Sequence, residues 1–161
     1  MKRDQVGRGR ESLSKGLRRE RILYVEDDDD NWEIAELRLA KRYDLVRART
    51  DEQACRFLRE QHQDIDLILM DIELRGSELN GIELTELLRG NTLPERSLLP
   101  SYARHLPPVG KPVIFVTAHG ARYTSVKLML SGADKVISKP VDFADLQIAL
   151  RELLVSRSLK G

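Results

Sequence analysis

The chain has one cysteine, Cys55, so no disulfide can close within it, and a lone thiol fits a reducing compartment. Cys55 shares an apolar stripe with Ala54 and Leu58, which reads as a buried structural thiol rather than a nucleophile. Long hydrophobic runs are missing as well: no stretch approaches the roughly 18 apolar residues that span a bilayer. The opening "MKRDQVGRGRESLSKGLRRER" lacks the apolar centre of a secretory signal, so export is not expected. These absences exclude membrane-spanning and disulfide-built proteins and point to the cytoplasm. What remains is an ordinary globular balance, 41% hydrophobic and 33% charged, rather than a disordered one. A chain of 161 residues suffices for one domain that buries roughly 68–70% of its unfolded surface.

The formal charge of +1 conceals an asymmetry. Residues 1–21 hold eight Lys/Arg against three acids, a net of +5, which leaves −4 for the rest of the chain. A basic arm can touch nucleic acid or an acidic partner, but the reading adopted is a solvated, poorly ordered leader. The expected division is an arm at 1–20, one domain at 21–156 with a proline-rich insertion at 91–112, and a tail at 157–161.

Four short apolar runs stand out: "ILYV" (22–25), "LILM" (67–70), "VIFV" (113–116) and "VI" (136–137). Short, β-branched and unalternating, they suit strands buried on both faces of a parallel sheet. The more polar "DLVRA" (44–48) reads as an edge strand. Amphipathic segments lie between them. Thr50 with Gln53 resembles a capping box before Ala54, Phe57 and Leu58; Asn80 with Glu83 opens a second helix; Asp142 opens the last. Gly132 stands where a helix C-cap is expected. Five β-α repeats predict an open parallel sheet with helices on both faces. Right-handed crossovers bring every strand's C-terminal end to one edge, where ligands of such sheets bind.

That edge collects Glu26 and Asp27 after the first run, Asp71 after "LILM", Thr117 after "VIFV" and Lys139 after "VIS". Glu26 and Asp27 begin an unbroken acidic row through Asp30. Two carboxylates about 4 Å apart repel by roughly 1 kcal/mol in water and roughly 4 near a protein surface, so three together call for a cation. All-oxygen ligands favour Mg²⁺ over zinc or copper. A carboxylate can also accept a phosphoryl group, with Lys139 and the Thr117 hydroxyl neutralising its oxygens. Asp29 or Asp30 is expected to cap the helix starting near Asn31, making the row part metal site and part helix cap.

In their order, "ILYVEDD", "DLILMDIEL…NGIEL", "PVIFVTA" and "GADKVISKP" resemble the CheY-like receiver domain of bacterial two-component response regulators, over roughly residues 20–155. The resemblance implies a flavodoxin-like (βα)5 α/β fold with strand order 2-1-3-4-5. It implies Asp71 as acceptor of a phosphoryl group from a histidine kinase or histidine phosphotransfer protein. Mg²⁺ would be held by Glu26, Asp27, Asp71 and the backbone carbonyl of Glu73, with Thr117 as switch hydroxyl and Lys139 as phosphate-contacting amine. It further implies a cis Lys139–Pro140 bond, and His119 and Glu73 at the positions that tune water's access to the aspartyl phosphate.

Three features depart from that family. Val136 stands where an aromatic switch residue is usual, with Tyr123, read as exposed, as a candidate substitute. Arg75 stands where proline is frequent, in a loop that is longer than usual. Residues 91–112 hold five of the six prolines, which forbids a continuous helix. The insertion is either a partner-contact element, with Arg96, Tyr102, Arg104 and His105 as candidates, or a tolerated surface insertion.

The leading expectation is a stand-alone signalling receiver rather than a metabolic enzyme, since only one helix and a tail follow Lys139. Its output would be a protein target bound through the face of the fourth helix, fifth strand and fifth helix, with Arg122, Tyr123, Lys127 and Lys135 as contacts. No membrane and no nucleic-acid partner is expected. Two alternatives stay open: a Mg²⁺-dependent phosphohydrolase with an aspartyl nucleophile, and a receiver-like scaffold independent of phosphorylation.

Overall fold

The apolar runs become five strands in a computed structural model that describes residues 18–91, 98–118 and 123–159. They are β1 (Arg21–Val25), β2 (Asp44–Ala48), β3 (Leu67–Asp71), β4 (Val113–Thr117) and β5 (Lys135–Ser138). All pair in parallel in the order β2-β1-β3-β4-β5. Among the described residues five α-helices alternate with them: α1 (Asp29–Leu39), α2 (Asp51–Gln61), α3 (Gly81–Leu88), α4 (Ser125–Leu130) and α5 (Phe143–Ser158). The flavodoxin-like α/β fold with order 2-1-3-4-5 is therefore present. No described helix is long and apolar enough to cross a membrane.

Alternate strand residues feed two cores, as the two-residue period of a strand requires. Ile22, Tyr24, Leu67, Leu69, Ile114 and Val116 pack against α1 and α5 through Ala35, Leu39, Leu146 and Leu150. Leu23, Val25, Ile68, Met70, Val113 and Phe115 pack on the other face, against α2, α3 and Leu128 of α4. Cys55 is among these buried residues, and burial pushes its thiol up to about 12, which leaves it an inert structural group.

The helix signals hold with corrections. Asn80 and Glu83 form the complete capping box, and Asp142 caps α5 by accepting from the Ala144 and Asp145 amides. Thr50 caps α2, but the Gln53 side chain turns to the Arg49 amide instead of closing a box on Thr50. The α1 cap is Asp28, not Asp29 or Asp30, and the helix begins at Asp29 rather than near Asn31. The C-cap of α4 is Ser131; Gly132 lies one residue beyond, at φ +111, where a Cβ would come within 2.5 Å of the Arg89 side chain. The Lys139–Pro140 bond is cis.

The described part of the insertion is anchored inward by its apolar residues, while Arg104 and His105, two of the candidate contacts, stay exposed. Leu99, Ala103 and Val109 are buried in the core under α2 and α3, and burial of a Leu or Val side chain contributes about 1.5–3 kcal/mol. The Tyr102 hydroxyl donates to Asp51 Oδ2 at 2.5 Å, and Arg59 of α2 donates to the carbonyls of Tyr102 and Arg104. Arg104 in turn donates to the Leu99 carbonyl at 3.0 Å, and His105 takes φ +63. Arg96 lies outside the described residues.

Asp51 is almost fully buried and also accepts from the Leu79 amide at 2.9 Å, while its own amide donates to Ser77 Oγ at 2.9 Å. One carboxylate thus joins α2, the insertion and the loop between β3 and α3. Burial, and then the Asp51 charge, holds the Tyr102 phenol well above its usual range, so it stays a donor. Tyr102→Phe is expected to lower stability by about 1.5–3 kcal/mol, the worth of a hydrogen bond to a charged group, as read from the urea midpoint.

Candidate functional site

The acidic row leaves β1 at the sheet edge where Asp71, Thr117 and Lys139 also emerge. Parallel register makes this so: Val25 lies opposite Met70, Asp71 opposite Val116, and Thr117 opposite Ser138. Asp71 and Thr117 are therefore the last residues of their strands, Glu26 and Lys139 the first after theirs, and Asp27 follows Glu26. Glu26, Asp27, Asp71, Glu73, Thr117 and Lys139 all line one cleft of about 190 Å³, so the predicted site residues are brought together. His119 and Arg122 lie outside the described residues.

The row is divided among separate partners. Glu26 is fully buried and its Oε2 accepts from Tyr24 Oη at 3.0 Å and from Lys139 Nζ at 2.8 Å, while Oε1 accepts from the Asp28 amide at 3.0 Å. Asp27 takes Arg75: Nε donates to Oδ2 at 2.6 Å and the Arg75 amide donates to the same oxygen at 3.2 Å. Asp28 caps α1 with Oδ1 and meets the Arg75 guanidinium with Oδ2 at 3.3 Å. Asp29 binds Arg47 and Arg49 of the β2 strand and its end, at 2.8 and 2.6 Å. Arg47 also donates to the Glu26 and Asp27 carbonyls and lies over the Trp32 ring, which fixes the backbone of the row. The row is thus part cleft, part helix cap and part arginine clasp.

Asp71 is buried, and Lys139 Nζ reaches its Oδ2 at 3.0 Å while holding Glu26. Burial first, then the neighbouring Glu26 charge, pushes the Asp71 carboxyl up against the opposing pull of Lys139. For Lys139, burial works to lower the ammonium, and its bonds to the two carboxylates outweigh that and raise it. Thr117 is buried beside them, and its backbone carbonyl accepts from the Lys139 amide at 2.8 Å, which fixes the lysine to the end of β4.

The donor set suits a hard divalent cation. One carboxylate oxygen from each of Glu26, Asp27 and Asp71 lies within 4.8 Å of the other two, and no sulfur or imidazole is among them. Two cations of the chain itself, Lys139 and Arg75, offset part of this charge.

Sequence reasoning gave no role to Arg75, Arg47 or Tyr24. Tyr24 had a readable signal, since residues two apart on a strand share a face with Glu26. Arg75 and Arg47 had none, because loops and cross-strand register bring them to the acids. Tyr123 is half-buried against the core rather than exposed, with Lys127 Nζ 5.3 Å from its ring centroid. Val136 likewise packs partly buried on that core, and Lys135 pairs with Glu152 of α5.

Comparison with known proteins agrees with this geometry. The sequence profile described as the response regulator receiver domain matches residues 22–151. The polar-differentiation response regulator DivK of Brucella ovis is 32% identical over 121 residues, covering 74% of this chain and 84% of that protein. Among solved structures, a CheY-like response regulator receiver domain protein from Methanospirillum hungatei has TM-score 0.69 at 28% identity, covering 89% of this chain and 100% of its own. A signal receiver domain of a putative Luxo repressor protein from Vibrio parahaemolyticus shares the fold, with TM-score 0.70 at 22% identity over 89% of this chain and 95% of its own.

Proposed function

The chain belongs to the response regulator receiver family, and from that premise we propose that Asp71 accepts a phosphoryl group from a histidine kinase or histidine phosphotransfer protein and that its arrival switches protein–protein contacts. Receivers are signalling modules, not metabolic enzymes. The observation that carries the reading is Lys139 Nζ, 3.0 Å from Asp71 Oδ2 at the bottom of a cleft that Thr117 also lines.

An Asp71 carboxylate oxygen attacks phosphorus, the bond from phosphorus to the donor's imidazole nitrogen breaks, and the imidazole leaves. Lys139, already held by Glu26, turns its ammonium on the incoming oxygens, and the Thr117 hydroxyl supplies a further donor. One preorganised donor of this kind is worth about 10²–10³ in rate. Glu26, Asp27, Asp71 and the backbone carbonyl of Glu73 would hold Mg²⁺, which when bound offsets the negative charge of phosphoryl group and acids together. Burial keeps bulk water off the acceptor oxygen.

The outward face for a target would comprise α4, β5 and α5, where Tyr123, Lys127 and Lys135 stand. A cytoplasmic setting suits both the single buried thiol and the proposed donor.

Intact mass after incubation with acetyl phosphate tests this. The wild type is expected to gain one phosphoryl group with Mg²⁺ and none in a chelator. No uptake from acetyl phosphate or from a phosphorylated kinase would favour the phosphorylation-independent scaffold instead.

A further inference from the structure

We propose that Arg75 is a built-in competitor for the cation site, an exposed guanidinium that a divalent cation must displace from Asp27 before the cleft is loaded. This rests on the reading of Glu26, Asp27 and Asp71 as cation ligands.

The two internal cations of the cleft are unlike in kind. The Lys139 side chain is 13% exposed and bonded to both Glu26 and Asp71, so it is a fixed part of the floor. The Arg75 side chain is 76% exposed, yet its Nε and amide converge on Oδ2 of Asp27, whose side chain is 10% exposed. Arg75 thus lines the cleft from the solvent side and can leave without opening the core. The two bonds from Arg75, at 2.6 and 3.2 Å, make it the principal partner of that carboxylate.

Charge accounts for the competition. The three carboxylates of Glu26, Asp27 and Asp71 set against Lys139 and Arg75 sum to −1; with Arg75 withdrawn they sum to −2, a stronger attraction for a doubly charged ion. A monovalent ion brings no more charge than the guanidinium it would replace and makes no directed bonds, so the device favours divalent over monovalent cations. Arg75 also has somewhere to go. Its terminal nitrogen already meets Asp28 Oδ2 at 3.3 Å, while Oδ1 of Asp28 stays committed to the Asn31 amide at 2.9 Å. Displacement from Asp27 is then a short swing along the row rather than release into water, which keeps exchange reversible. The loop length after Asp71 matters here, because Arg75 reaches Asp27 through its backbone amide as well as its side chain.

Calorimetric titration with MgCl₂ tests this on the full chain, using the wild type, Arg75→Ala, Arg75→Lys and Arg75→Glu. Removing an exposed, partly screened pair is expected to tighten Mg²⁺ binding roughly threefold to tenfold in Arg75→Ala. Arg75→Glu should tighten it further, and Arg75→Lys should stay near the wild type. The Arg75→Ala advantage should shrink at high salt. Independently, the Arg75 Nε–H nuclear magnetic resonance signal, identified by its loss in Arg75→Ala, should shift as Mg²⁺ saturates the wild type.

Equal or weaker Mg²⁺ binding in Arg75→Ala, or an unmoved Nε–H signal at saturation, overturns the proposal while leaving the cation site intact. No Mg²⁺ binding by any of the four proteins overturns the cation reading, and this proposal with it.

Discussion

Replacing Asp71 with asparagine is expected to abolish phosphoryl uptake while making the unphosphorylated protein more stable. The amide has no nucleophilic carboxylate oxygen, so no acyl phosphate can form at this position. Its oxygen can still accept from Lys139, so the cleft keeps its shape. The stability gain follows from the elevated Asp71 carboxyl, which burial and then Glu26 push up. A carboxyl whose folded pKa exceeds its unfolded value opposes folding when ionised, and each unit of elevation corresponds to about 1.4 kcal/mol. Asp71→Asn should therefore gain about 1–2 kcal/mol at neutral pH in a chelator. The gain should fade as pH falls through the elevated folded value towards the ordinary aspartate value of about 3.9, because the wild type then becomes neutral at this position too. Intact mass with acetyl phosphate and urea denaturation at two pH values check both halves. Uptake retained by Asp71→Asn would remove Asp71 as the acceptor.

Gly81→Ala is expected to do the largest structural damage of any single methyl group near the cleft. Gly81 is the first residue of α3, and its amide donates to the Ile72 carbonyl at 2.8 Å. A Cβ there would stand 2.0 Å from the Asp71 carbonyl oxygen and 2.9 Å from Ile72 Cα, both backbone atoms that cannot rotate away. The clash must push either the acceptor strand or the helix, at a cost of about 3–5 kcal/mol. Gly76 is the control: it has φ +76, but a Cβ would meet nothing within 4 Å. Gly76→Ala should cost only about 1 kcal/mol, from the backbone conformation alone. Urea midpoints for the two variants test the contrast, and Gly81→Ala should also slow phosphoryl uptake because Asp71 moves. Equal destabilisation by the two would refute the close-approach argument.

The sheet was legible because buried parallel strands are short and uniformly apolar, and β1, β3 and β4 are nearly or wholly buried in that way. The polar β2 was found at 44–48 as an edge strand, where it pairs only with β1. The principal cleft residues were legible for a related reason: each stands at a strand end, so the strands count them off. What escaped was everything fixed by loops. Arg75, four residues past Asp71, gives no periodic signal, and only the path of its loop turns it back to Asp27. The insertion was legible only in part. Proline density correctly ruled out a long helix but says nothing about burial, and Tyr102, read as a contact for a partner, is spent on Asp51. Similarly, one acid in a row of five looks like any other, and only backbone geometry selects Asp28 as the cap.

The loop of residues 72–80 is fastened almost throughout its length. Ile72 accepts from Gly81, Leu74 from the Ser77 amide, Arg75 holds Asp27, Ser77 accepts from Asp51, and Leu79 donates back to Asp51. Ile72, Leu74 and Leu79 are buried besides. Fixing the backbone of one residue costs about 1–2 kcal/mol in entropy, and here that ordering is met during folding, by contacts remote from phosphorus. On the proposed phosphoacceptor role of Asp71, the loop would meet a phosphoryl donor already arranged, with little ordering entropy left to oppose transfer. Of these fastenings, the one to Asp27 has one part on an exposed side chain, the Arg75 guanidinium, and one part on the Arg75 backbone amide. The remainder of the loop can therefore stay set while that single clasp opens and closes.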